Sequence, residues 1–345
     1  MSHPRYKGPV LDAHCHYDGT TIGRAASVMD RIGLRAAVHF WDLQWPPVRF
    51  EDEQREWGGQ EPRLYRAHVP DLARVGGRES EASLASELTS AAAAGAVAVK
   101  LWKNLGLWLR DTDGRRLAVD DPRLEVVWDT AAANGIPIVI HQGDAPPFFA
   151  PLDEGNPRFS ELQAHPEWWY GGGEFPPLEQ IHEELEAVVS AHPDTRFVGL
   201  HFGCFMPWSE VDRMLGEYAN YHIDTATTIA DMGRDGAWEE VRSVFLRHPD
   251  RILFGSDVIR THGDDLPGID GGWGVSDTPQ RWDLDEFFDR HWRFFETAES
   301  GLQHPLPMQG DWTVTGLDLP DDLLYKLYWE NGRRVFGLSD LGTEG

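Results

Sequence analysis

Residues 10–16 read VLDAHCH, an apolar start that ends on two imidazoles, His14 and His16. Side chains of an extended strand alternate with period two, so both rings fall on one face and Cys15 on the other. Asp12 shares the face of the histidines and is placed to orient one of them from behind. Two histidines at i and i+2 can share one metal, with neutral nitrogens about 2.0–2.1 Å from zinc. Alone the pattern is weak, because strand-end histidines often only hydrogen-bond. Its weight comes from repetition along the chain. Lys100 closes AVAVK, His141 closes IPIVIH, His201 closes FVGLH, and Asp257 follows RILFGS. Polar residues at the C-terminal ends of apolar strands are how a barrel of parallel strands builds an active site. Four imidazoles, an amine and a carboxylate in such positions read as a metal centre, and therefore as an enzyme.

Short β-branched runs alternate with helical patterns along the chain, the mark of βα units and a parallel sheet. Strands are expected at 10–14, 36–40, 64–69, 96–101, 137–141, 197–201, 221–224 and 251–254. Helices are expected at 23–32, 81–94, 122–134, 178–191, 209–218 and 237–247, with Gly95 and Gly135 ending two of them. Two more helical stretches, 285–299 and 321–336, follow the last strand. Eight units close a barrel. The expected fold is therefore α/β: a (β/α)8 TIM barrel in one domain, 1–345, with extra C-terminal helices. Long βα-loop insertions are expected at about 41–62, 103–120, 143–177 and 260–282. Residues 143–177 are too many for a plain connection and carry Phe148, Phe149, Trp168, Trp169 and Tyr170, so they read as a lid or pocket wall. Trp41, Trp45, Trp102 and Trp208 follow strands two, four and six, as an aromatic wall or as packing under the loops. Lys103, Asp144 and Arg234 lie near the mouth as candidate substrate contacts, and Asp224 ends strand seven behind a ligand or as a structural group.

Composition narrows the partners. A formal net charge of -26 argues against nucleic acid or an anionic membrane, either of which repels such a chain. The first residues, MSHPRYKGPV, lack the apolar centre of a signal peptide, and no run nears the roughly 18 apolar residues of a membrane span. Cys15 and Cys204 are the only cysteines, so no disulfide framework is expected and a reducing cytoplasm is the default. The remaining partner is a small, hydrophobic substrate molecule; a homodimer is left open.

The motifs LDAHCH, IPIVIHQG, FVGLHFG, RILFGSD and KLYWENGRRVFGL resemble the amidohydrolase superfamily, in particular the amidohydrolase-2 branch that includes aminocarboxymuconate-semialdehyde decarboxylases. The resemblance runs over nearly the whole chain. It implies that His14, His16, His141 and Asp257 bind a metal, and that His201 binds a second metal or holds the attacking water. It also implies that Asp257 takes the proton of a metal-activated water. Lys100 departs from the simplest branch members, which bind one metal and need no lysine. Binuclear amidohydrolases place a carboxylated lysine on strand four, bridging metals about 3.5–4 Å apart. Lys100 occupies the equivalent place; the other reading is a lysine that reaches the mouth or pairs with Asp257 or with substrate.

The expected cofactor is one or two divalent metals, zinc or iron, with manganese also admitted. Hydrolysis of an amide, lactone or ester is the leading reaction, with His201 helping to stabilise the oxyanion. Metal-dependent decarboxylation uses the same ligands. The alternative from another class is oxygenation: the chain is also similar to the dinuclear non-haem iron monooxygenases of platensimycin and platencin biosynthesis, which implies a bulky, terpenoid-like and CoA-linked substrate.

Overall fold

The computed structural model describes residues 5–17, 25–40, 49–57, 61–260 and 284–341. Trp41, Trp45, the first residues of the expected helix 23–32 and nearly all of the expected loop 260–282 lie outside them.

Eight parallel strands form the barrel in simple sequential order: β1 (Val10–Tyr17), β2 (Leu34–Phe40), β3 (Leu64–His68), β4 (Ala98–Leu101), β5 (Ile138–Ile140), β6 (Phe197–Gly199), β7 (Tyr221–Asp224) and β8 (Ile252–Leu253). The last strand is interrupted after Phe254 and resumes as β9 (Val258–Arg260), which pairs with β1 through Cys15↔Val258 and His16↔Ile259. Two backbone bonds span the interruption, Ala13 N to Phe254 O and Asp257 N to His14 O, both 2.8 Å. They join the last strand to the first, so the (β/α)8 barrel expected from the sequence is what forms.

Period two explains the layering. Val99, Leu101, Ile138, Ile140, Phe197, Ile223 and Phe254 point outward and pack with the helices. Ala13, Ala36, Ala67 and Ala98, with Val38, Val139 and Val198, point inward, where small residues fit the narrow lumen. The C-terminal stretch covers the inner cluster with Trp329, Val335 and Phe336. It runs as one helical segment from Asp321 to Val335 with a wider turn, Lys326–Glu330, in the middle. Asn331, fully buried, fixes it to the sheet by donating from Nδ2 to Pro249 O and Ile252 O, both at 2.8 Å.

Several expected loops carry structure. Phe50–Trp57 is a helix inside the expected loop 41–62. Its sequence, FEDEQREW, is mostly charged; Phe50, buried beside Ala91 and Ala96, and Gln54, whose Nε2 donates to Ala94 O at 3.1 Å, tie it to the body. Residues 143–177 fold around Phe148, Leu162 and Tyr170, which pack on Leu107 and Ile181. They include the helix Phe159–Ala164. The pair of two-residue strands Leu302–Gln303 and Thr313–Val314 is too short to leave a periodic signal. Among the described residues no helix is long and apolar enough to cross a membrane.

Replacing Asn331 with alanine strips one buried and one half-buried carbonyl of their donor, and such a loss costs about 1–3 kcal/mol where the group is buried. Urea unfolding of Asn331→Ala is expected to show a loss of about 2–4 kcal/mol with an unchanged slope; a loss below about 0.5 kcal/mol contradicts this role.

Candidate metal centre

β1 delivers His14 and His16 to the barrel mouth, but strict alternation fails before it gets there. The β1–β2 register shifts between Asp12 and Cys15. Asp12 therefore does not stand behind a histidine ring. Its carboxylate accepts from the backbone nitrogens of His14 and Ser256 at 3.1 and 2.9 Å and from Ser256 Oγ, tying β1 to the interrupted last strand. Burial pushes its pKa up to about 7, against the hydrogen bonds from Ser256 and His14. Cys15 points away from the site, its thiol donating to Val38 O.

The group behind His14 is Asp224. Its Oδ2 lies 2.6 Å from His14 Nδ1, while its Oδ1 accepts from His201 N at 2.7 Å. His16 Nδ1 is bonded to Phe40 O at 2.8 Å. A carbonyl only accepts, so His16 carries its proton on Nδ1; a carboxylate fixes His14 the same way. Both Nε2 atoms then present lone pairs, and they face each other at 3.1 Å. Asp257 Oδ1 completes the group, 3.2 Å from His14 Nε2 and 2.9 Å from His16 Nε2. Three lone-pair donors this close, all buried, repel one another unless a cation lies among them. Ligand atoms about 2.1 Å from one tetrahedral ion stand roughly 3.4 Å apart. The donor set fits a divalent cation.

The titration pattern agrees with the geometry. Burial drives His14 well below its ordinary pKa, so its imidazole is neutral. Burial works against ionisation of Asp257, yet a proton on any of the facing His14, His16 and His201 rings outweighs it and draws the carboxyl below the usual carboxylate range. Neutral imidazoles beside an anionic carboxylate are the protonation states a metal requires.

His141 stands apart from this trio. Its Nδ1 lies 3.1 Å from His201 Nε2, the two rings 4.2 Å apart, and its buried Nε2 has no hydrogen-bond partner among the described residues. His201 is not the last residue of a strand, as the sequence suggested. β6 stops at Gly199, and residues 201–205 make a left-handed turn with φ of 54, 52, 79, 60 and 58°. A side chain at Gly199 would collide with Tyr221 Oη, so glycine is what lets the turn begin. Thr227 and Asp257 are left-handed too, at 55 and 58°. Such backbone costs about 1–3 kcal/mol per residue and collects at functional sites. The turn aims His201 Nδ1 at Ala226 O, 3.1 Å, and Thr227 Oγ1, 2.7 Å. Burial lowers the His201 pKa to about 4. Lys100 is wholly buried on β4, its Nζ 5.0 Å from the Phe40 ring centre and 4.3 Å from that of Trp102. Its charge opposes protonation of His14, His141 and His201.

A pocket opens above His141, His201 and Asp257, walled by Phe148, Trp168, Phe205, Leu306 and Met308. Lys103 and Asp144 line it as an ion pair. Arg234 is elsewhere, against the Trp312 ring at 4.1 Å and paired with Asp235. Trp102 lies between the His16 and His141 rings, 5.9 and 6.4 Å from them, whereas Trp208 packs edge-on to Phe202. Arg158 escaped the sequence reading. It is buried in the pocket wall with Glu161 at 3.1 Å and Asp231 at 2.7 Å. One arginine in a Pro/Gly-rich loop gives no periodic signal.

Comparison with known proteins supports the family and the fold. The family model described as amidohydrolase matches residues 12–338. No curated protein matches the chain. Among solved structures, 2,6-dihydroxybenzoate decarboxylase in complex with 2,6-dihydroxybenzoate is 15% identical, with a TM-score of 0.55 over 96% of this chain and 99% of that one. A probable 2-pyrone-4,6-dicarboxylic acid hydrolase from Acinetobacter baumannii is 11% identical, TM-score 0.55, over 95% and 99%. A dihydroxybenzoic acid decarboxylase from Polaromonas sp. JS666, with bound manganese, is 14% identical, TM-score 0.55, over 96% and 97%. At these identities the likeness establishes a shared barrel.

Asp224 engages His14 through one oxygen, and His201 N and Ala226 N through the other, and an amide has only one oxygen. In Asp224→Asn either His14 or the His201 turn loses its acceptor, so calorimetric titration with zinc or manganese is expected to show affinity about 10–100-fold weaker. Unchanged affinity means that Asp224 does not orient the donor set.

Proposed function

This chain belongs to the amidohydrolase family, whose members depend on metals, and we propose that it hydrolyses a small, hydrophobic or aromatic ester, lactone or amide. The observation that carries the proposal is the facing of His14 Nε2, His16 Nε2 and Asp257 Oδ1 in one buried group, with no proton between the two rings. His14, His16 and Asp257 would hold the ion, with His141 and Lys100 beside them. A divalent cation there supplies Lewis acidity toward both a carbonyl and water.

The protein's own groups divide the remaining work. Asp257 Oδ1 faces the two imidazoles, while Oδ2 turns toward His201, 4.0 Å from its Nδ1. Oδ2 is placed to take the proton from water as its oxygen bonds to the carbonyl carbon. The same proton passes to the leaving oxygen or nitrogen as its bond to carbon breaks. His201 cannot donate to an oxyanion in its resting tautomer. Its Nδ1 proton points to Ala226 O, so Nε2 is an acceptor, and the donor that faces it is His141 Nδ1 at 3.1 Å. The pocket walls of Phe148, Trp168, Phe205, Leu306 and Met308 exclude water and take an apolar body.

A second reading, decarboxylation of an aromatic acid, is supported by the decarboxylases among the similar structures; Lys103 and Arg158, the cations of the pocket, are already held by Asp144, Glu161 and Asp231. The diiron oxygenase reading finds no support in the family match or the structural neighbours.

The test is turnover of a panel of aryl esters, lactones and amides in ¹⁸O-labelled water. Label is expected in the acid product, activity is expected to vanish on chelation and return with zinc or manganese, and Asp257→Asn is expected to lower kcat about 10²–10⁴-fold. Carbon dioxide release without label supports the second reading, and oxygen-dependent turnover overturns both.

A further inference from the structure

The opposite end of the barrel holds a cluster that none of this chemistry uses. Val198 and Leu253 point into the lumen, whereas Phe197, Ile223 and Ile252 point outward. Alternation therefore turns Arg196, His222 and Arg251 inward, at the N-terminal ends of three adjacent strands, with Val198 opposite His222 and Ile223 opposite Ile252. The C-terminal helical segment adds Arg334, which donates to Asp250 O, the carbonyl just before Arg251, and to Asn331 Oδ1 at 3.3 Å.

Charge balance at this end is unusual for a chain with a net charge of -26. Among the described residues none of the three arginines has a carboxylate within ion-pair distance. Arg196 and Arg251 donate to the carbonyls of Gly135 and Ala219. Asp250, the nearby acid, is held by Lys326 Nζ at 2.7 Å. His222 is 3% exposed, and neither of its ring nitrogens has a well-formed hydrogen bond among the described residues. Burial and the Arg334 charge together lower Arg196 and Arg251, and burial with all three arginines takes His222 down to about 3. A buried polar ring with unmet hydrogen bonds, beside two half-buried arginines and an exposed one that face no carboxylate, leaves a place for an anion.

We propose that Arg196, His222, Arg251 and Arg334 form an oxyanion site at the N-terminal end of the barrel, whose donors suit a phosphate group, either free or on a small metabolite. The guanidinium forks supply charge-assisted donors and the neutral imidazole one more N–H. The ion ties the C-terminal helical segment to β6–β8, the strands that carry the His201 turn, Asp224 and Asp257 at their other ends. Its role is in stability, as expected of that face of such a barrel.

The experiment follows thermal unfolding of the full chain at constant ionic strength while chloride is replaced by inorganic phosphate, with glycerol 1-phosphate in a parallel arm. A saturable rise in midpoint is expected for wild type, because a ligand that binds only the folded state stabilises it by mass action. Arg334→Gln and, separately, Arg196→Gln are expected to raise the half-saturating concentration at least tenfold. A response to phosphate alone identifies the free ion as ligand, and a response to both admits an esterified group. No rise beyond the chloride control, or an equal rise in wild type and both variants, overturns the site.

Discussion

The hydrogen bonds that Asp224 accepts from His14 and His201 are what the rest of the site depends on. One carboxylate at the end of β7 holds the imidazole of β1 through Oδ2 and the start of the left-handed turn after β6 through Oδ1. Three strands meet on this one wholly buried group. Its pKa is pushed up to about 6 by burial, with His201 acting in the opposite direction. The surroundings tolerate no added bulk: a Cβ at Gly255 would stand 2.8 Å from His14 Cβ and 3.1 Å from Asp224 Oδ2. The close approach of the last strand to the first is thus a condition for the carboxylate to reach His14.

From that constraint the strained backbone makes physical sense. A straight continuation of β6 would carry His201 along the strand direction, and the left-handed turn instead bends its ring toward His141 and Ala226. Asp257 pays a similar conformational cost so that its nitrogen can bond His14 O while its side chain faces both imidazoles. The cost is borne by the barrel around it, whose outward layer of Val, Ile, Leu and Phe is buried under the helices.

The barrel was legible because its signal is local. Period-two runs of apolar residues mark each strand, and strand-end polar residues mark the mouth. His14, His16 and Asp257 could be placed on these grounds, and they do converge. The His201 turn was hidden: of residues 201–205 only Gly203 favours left-handed backbone, and FVGLH reads as plain strand. Asp224 was ambiguous because its partners lie on β1 and β6, set by sheet register and not by spacing. Asp12 misled for the complementary reason, since a shift in register undid the alternation that placed it. Arg158 and the helix Phe50–Trp57 lack any apolar periodicity, and only tertiary contacts reveal them.

The central claim is that His14, His16 and Asp257 are drawn together to hold a divalent cation. Electron paramagnetic resonance of free manganese, titrated against metal-stripped protein, tests it without knowledge of the substrate. At least one tight equivalent is expected in wild type, and its loss is expected in a folded His14→Ala/His16→Ala chain. Equal binding by the two proteins, or none by wild type, contradicts the claim.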